Sequence, residues 1–137
     1  VVSFAEQMAT AKIVVRADMN RVLRGAIEEA GERLIKRSPV DTGRFRSNWR
    51  YGLTTPDLFA NKATREWFVH NLEEIPRDLL GFRHFITNAL PYGPALERGS
   101  SAQAPQGFAG LTAVEWPNIV SLVVGRVGGS VYQGGAL

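Results

Sequence analysis

Cysteine is absent from this chain, which excludes a disulfide framework and any thiolate metal site. Histidine is nearly absent. His70 and His84 are the only imidazoles, and neither has a second ligand three or four residues away that would form a recognised metal site. Long apolar runs are missing as well. The longest, residues 119–124, falls far short of the roughly 18–20 residues that span a bilayer. No secretory leader is expected, because Glu6 and Gln7 interrupt the apolar start. The glycines follow neither the phosphate-loop nor the dinucleotide spacing, and Gly99-Ser100-Ser101 is not a nucleophile elbow. No cofactor, metal or membrane partner is therefore expected, and no catalytic residue is assigned.

What the 137 residues do contain is enough apolar material for one domain with its own core. The formal net charge is +3. Arg33, Lys36, Arg37, Arg44, Arg46 and Arg50 crowd into one short stretch opposed only by Asp41. Such a cluster can meet phosphate, and a nucleic-acid-binding module using residues 33–50 is one functional reading. The plainer reading is a helix end, where cations suit the carbonyl pole, followed by a solvated strand face. Apart from Lys12, Lys36 and Lys62 every cation is arginine, whose planar fork suits ordered protein contacts. Trp49, Trp67 and Trp116 are expected to build the core.

Apolar residues recur at helical spacing over residues 15–37, as Met19, Val22, Leu23, Ala26, Ile27, Ala30 and Leu34. Gly25 and Gly31 each weaken that helix by about 1 kcal/mol relative to alanine, so packing must hold it. Pro39 ends it by restricting Ser38. Residues 3–12 read as a separate short helix with Phe4, Met8 and Ala11 on one side. Phe45, Ser47, Trp49, Tyr51 and Leu53 then alternate with Arg44, Arg46, Asn48 and Arg50, which predicts a strand with one cationic face. A second helix is expected within residues 58–75, burying Trp67, Phe68, Leu72 and Ile75 before Pro76. A second strand spans residues 84–88. Pro94 starts a short helical turn that Gly99 closes. Phe108, Leu111 and Val114 mark a third helix interrupted by Pro117. Periodicity leaves residues 119–124 open between helix and strand. Residues 125–137 contain five glycines and read as a flexible tail beyond a single domain of residues 1–124.

Four segments share an order that carries more than composition: Pro39-Val40-Asp41-Thr42-Gly43-Arg44, the strand exit from Ile86 to Tyr92, the Leu96 to Gly99 turn, and Gln103 to Glu115. Together they resemble the minor tail protein Z, or tail completion, family of long-tailed bacteriophages over residues 38–120. The resemblance implies an α+β fold: a long N-terminal helix on a small, mainly antiparallel sheet with additional short helices. It favours helix for residues 119–124. It also implies a non-enzymatic virion protein of the neck, assembled in the host cytoplasm and supporting head–tail joining. The implied partners are other copies in a cyclic hexamer, neighbouring neck and tail proteins, and DNA passing nearby in the channel.

Asp41-Thr42-Gly43 is also the aspartic-protease triplet, in which two aspartates share one proton. Here it follows a helix end, and Arg44 would hold Asp41 ionised. The preferred reading is a structural turn of Pro39, Asp41, Thr42 and Gly43, with glycine supplying an unusual φ. An inter-subunit contact is expected from Tyr92, Glu97 and Gly99 on one side and Arg44, Arg46 and Arg50 on the other.

Overall fold

A computed structural model describes residues 3–40, 43–60 and 71–134, without the side chains of residues 129–134. Helix α1, Phe4–Arg37, is one uninterrupted element of 34 residues, about 51 Å long at 1.5 Å per residue. The expected break after Lys12 does not occur. No glycine or proline stands between Phe4 and Arg24, and Ser3 and Glu6 close a capping box: Ser3 Oγ accepts from Glu6 N at 3.1 Å and Glu6 Oε2 from Ser3 N at 2.8 Å. At the other end Ser38 is extended, as the following proline requires.

The chain then makes a 3-10 turn, Arg46–Asn48, before strand β1, Trp49–Leu53. The strand is therefore shorter than the alternation suggested. Gly43 O accepts from Ser47 N at 3.0 Å and from Ser47 Oγ at 2.6 Å, which winds residues 43–48 into turns rather than extended chain. Strand β2, His84–Asn88, pairs antiparallel with β1, Trp49 opposite Asn88 and Leu53 opposite His84. Helices α2, Gly93–Glu97, α3, Ala109–Val114, and α4, Trp116–Gly134, complete an α+β chain. Residues 71–73 are helical, and Leu72 is buried. Residues 58–60 and 74–75 of the expected span are not helical, and residues 61–70, with Trp67, Phe68 and His70, lie outside the described residues.

Two sequence expectations are corrected at the C-terminal end. Residues 125–134, read from their glycines as a tail, are helical: α4 carries on through Gly125 and Gly128 to Gly134. Leu111 and Val114 are exposed, the latter at 81%, and α3 instead buries Thr112. Trp116 stands half out of the core that Trp49 helps to build. Residues 119–124 are helical.

A two-stranded sheet is not stable alone, and α1 supplies the cover. Ile27, Leu34 and Ile35 pack with Phe45, Trp49, Tyr51 and Phe108 in the main core. His84 sits at its edge. Its Nε2 lies 2.9 Å from Leu79 O, which can only accept, so Nδ1 accepts from the Tyr51 hydroxyl at 2.5 Å. A second apolar layer joins Ala26 and Ala30 of α1 to Ile119 and Val123 of α4. Small residues let these helices approach closely. A Cβ on Gly25 would lie 2.7 Å from Val123 Cγ1, so the glycine that weakens α1 locally is required by its neighbour. Gly25→Val should separate the helices and destabilise the fold by about 1–3 kcal/mol, seen as a drop of several degrees in melting temperature. Unchanged melting would mean that α4 does not rest on Gly25.

Candidate functional site

The four segments that carried the resemblance are tied to one another and to the end of α1. Ser38 is buried there, its hydroxyl donating to Leu34 O at 2.6 Å and accepting from Trp49 Nε1 at 2.8 Å. Pro39 beside it is also buried. Asp41 and Thr42 lie outside the described residues. Gly43 has φ +85°, a conformation costly for residues with a Cβ, so the glycine of the predicted turn does take up its special backbone.

Three of the four segments contribute polar side chains that tie them to other parts of the chain, the last of them two. Gln103 reads both backbone groups of Val40, accepting from its N–H at 2.9 Å and donating to its carbonyl at 2.8 Å. Asn88 donates to Phe45 O at 2.7 Å. Glu97 Oε2 accepts from Phe108 N and Ala109 N, and Oε1 from Gly110 N, at 2.9–3.0 Å. Glu115, between α3 and α4, accepts from Arg37 at 2.5 Å and Arg33 at 2.7 Å. The Phe45 ring lies at the centre, with Phe108, Trp49 and Tyr92 ring centroids 5.3–5.9 Å away.

These contacts revise the expected interface. Sequence makes Glu97 a carboxylate awaiting a neighbour's arginine, but it closes the start of α3. Burial would raise its pKa; the backbone N–H groups of Gly110, Ala109 and Phe108 outweigh that and hold it below the usual carboxylate range. Gly99 has φ +93°, and a Cβ there would lie 2.4 Å from Pro105 O, so it serves a chain crossing inside the molecule. Tyr92 remains partly exposed against Phe45, and Arg44 is exposed.

Nor do the cations form one face. Arg46 reaches back to Lys36 O at 3.2 Å and Ser38 O at 3.0 Å, covering the end of α1. Arg50 is 0% exposed. Its guanidinium lies 5.7 Å over the Phe59 ring, and burial lowers its pKa despite the nearby Asp57 carboxylate. On the same side of β1, residues 55–57 fold back over Gly52, where a Cβ would lie 2.3 Å from Thr55 O. Arg33 and Arg37 are engaged by Glu115, and Arg33 also by Glu29 at 3.1 Å.

Among the described residues no three His, Asp or Glu side chains gather where a metal could sit, and no helix is long and apolar enough to cross a membrane. The cavity of most interest is an apolar groove of about 450 Å³. Leu23 and Ile27 of α1, Trp49 and Ile86 of the sheet, Ala113 of α3 and Trp116 line it. Sequence reasoning missed Gln103, Asn88 and Glu115 as ties, although all three lie inside the recognised segments. It also missed the groove, which residues far apart in sequence create.

Two outcomes follow. Arg37 and Arg33 hold the Glu115 carboxyl down at about 2, against 4.5 ordinarily. Its contribution to stability is therefore full above pH 4.5 and lost as pH falls toward 2. Melting of Glu115→Gln should thus lie below that of the parent at neutral pH and converge with it in acid; parallel curves would remove the network from the stability of the fold. Separately, Glu97→Arg should destabilise the monomer by about 1–3 kcal/mol, because three N–H groups lose a charged acceptor. Circular dichroism melting checks it, and a parent-like transition would return Glu97 to the surface.

No protein-family model, curated protein or solved structure matches this chain.

Proposed function

We propose that this protein is a structural component of a phage neck: a tail completion subunit that forms a ring at the head-proximal end of the tail and supports head–tail joining. It works without catalysis, cofactor or membrane, its partners being further copies of itself, as a hexamer, and adjoining neck and tail proteins. It acts in the virion after assembly in the host cytoplasm. DNA passes near it in the channel. The observation that carries the reading is the use made of the four family-like segments. Their polar side chains, Gln103, Asn88, Glu97 and Glu115, bind other parts of this chain rather than converging on a cavity. A subunit whose role is shape needs its elements held rigidly, and a closed ring needs one constant angle between neighbours.

The nucleic-acid reading loses support from the same geometry, since Arg33, Arg37, Arg46 and Arg50 are engaged within the fold. Negative-stain images of the purified protein, alone and with tail tubes, test the proposal. Closed rings alone and added density at one tube end are expected. Unbound tubes beside dispersed monomers would overturn it.

A further inference from the structure

The N-terminal part of α1 is a helix without a cover. Residues 3–17 are all exposed, and Phe4 at 76%, Met8 at 54%, Val15 at 56% and Met19 at 52% form one stripe along it. At spacings of four, seven and four these side chains lie on one face. Val22, Ala26 and Ala30 continue that face into the layer that α4 covers. The stripe is thus core-like in composition and lacks only a partner. Isolated helical turns of this length are marginal in water, and so much exposed apolar side chain marks an interaction surface.

We infer that this arm docks in the apolar groove of a second copy of the chain, in a head-to-tail contact repeated from subunit to subunit. The groove is walled by Leu23 and Ile27 of the same α1 that bears the arm. Met8 stands fifteen residues before Leu23 on one straight helix, about 22 Å away. The arm cannot turn back into its own groove without breaking α1, whereas a second molecule brings an identical arm to it. Both halves of the contact are chemically matched. Phe4, Met8 and Val15 are the recurring anchors by which an amphipathic helix enters an apolar groove, and methionine adapts to an irregular wall. A cavity of about 450 Å³ has room for more than one such side chain.

The area favours a repeated contact over an isolated dimer. At roughly 50–100 Å² uncovered on each of these four apolar residues, the arm offers on the order of 200–400 Å². Doubled across the contact, this only approaches the roughly 1,000 Å² that a specific interface requires. One contact is therefore weak, and closing a circle of them adds the stability that a single pair lacks. Because arm and groove are different surfaces, the contact is heterologous and generates a ring or a filament. The inference deepens the ring reading, on which it rests for its biological use, while the contact itself can be measured without any phage component.

Two variants of the full chain separate the halves. Met8→Asp alters only the arm, and Ala113→Arg places a charge at the groove wall; both positions are exposed, so folding by circular dichroism should match the parent. In sedimentation velocity over increasing concentration the parent should self-associate, and each variant should do so about tenfold or more weakly. Mixing the two should restore a dimer and nothing larger, since one variant keeps a good groove and the other a good arm. Parent-like assembly of either variant, or a mixture that stays monomeric, overturns the proposal. A parent that remains monomeric but floats with phosphatidylglycerol vesicles through Met8 would assign the arm to a lipid surface and overturn it too. Assembly that responds as expected in a protein that ignores tail tubes would preserve the contact and reject the neck assignment.

Discussion

The rest of the fold depends on how α1 stops. Ser38 is buried, and a buried hydroxyl needs partners; it has two, Leu34 O behind it and the Trp49 indole ahead. The first bond closes the last turn of the helix. The second fixes the starting position of β1 relative to α1. Arg46 completes the join by covering the Lys36 and Ser38 carbonyls, so groups left over at a helix end become part of the link between helix and sheet. Pro39 makes the direction of exit compulsory, and Gly43 lets the chain reverse in the space available.

From that join outward, polar side chains do most of the positioning and apolar ones most of the stabilising. Glu115 is the clearest case. It lies at the junction of α3 and α4 and receives two arginines one helical turn apart on α1, which orients both helices at once. Partly exposed ion pairs stabilise little individually, but a carboxylate held by two guanidinium groups has few alternative geometries. Gln103 works similarly without charge, pairing with both backbone groups of Val40 as a neighbouring strand would. The Phe45 cluster and the Gly25–Val123 approach then supply the burial that makes these geometries persist.

The molecule is uneven along its longest element. The C-terminal half of α1 is core on several sides, while its N-terminal part projects with a core-like stripe exposed. A single continuous helix joins the two, so whatever binds the arm also senses the orientation of the sheet and of α4. That coupling suits a subunit whose neighbours must meet at a fixed angle, because a rigid lever transmits orientation better than a flexible arm.

Much of the architecture was legible in the residues alone. The 3.6-residue spacing over residues 15–37, the Ser38-Pro39 stop, the strand at His84–Asn88 and the positive φ at Gly43 and Gly99 follow from local sterics and periodicity, which need no knowledge of neighbours. The absence of glycine and proline from residues 4–24 was legible too, and would have joined the two predicted N-terminal helices into one. The fate of the charges was not. Arg50 alternates with apolar residues and reads as solvent-facing, yet it is buried with its guanidinium over the Phe59 ring. Glu97 reads as a surface acid, yet the start of α3 is brought to it by a loop crossing at Gly99. Sequence by itself determined the long helix over residues 15–37 and its stop, the core of each strand and the glycine turns, because those depend on contacts a few residues apart. Only the tertiary structure decided which faces are covered, which ions are paired and which stripe is left open, because burial is settled by segments that meet across tens of residues.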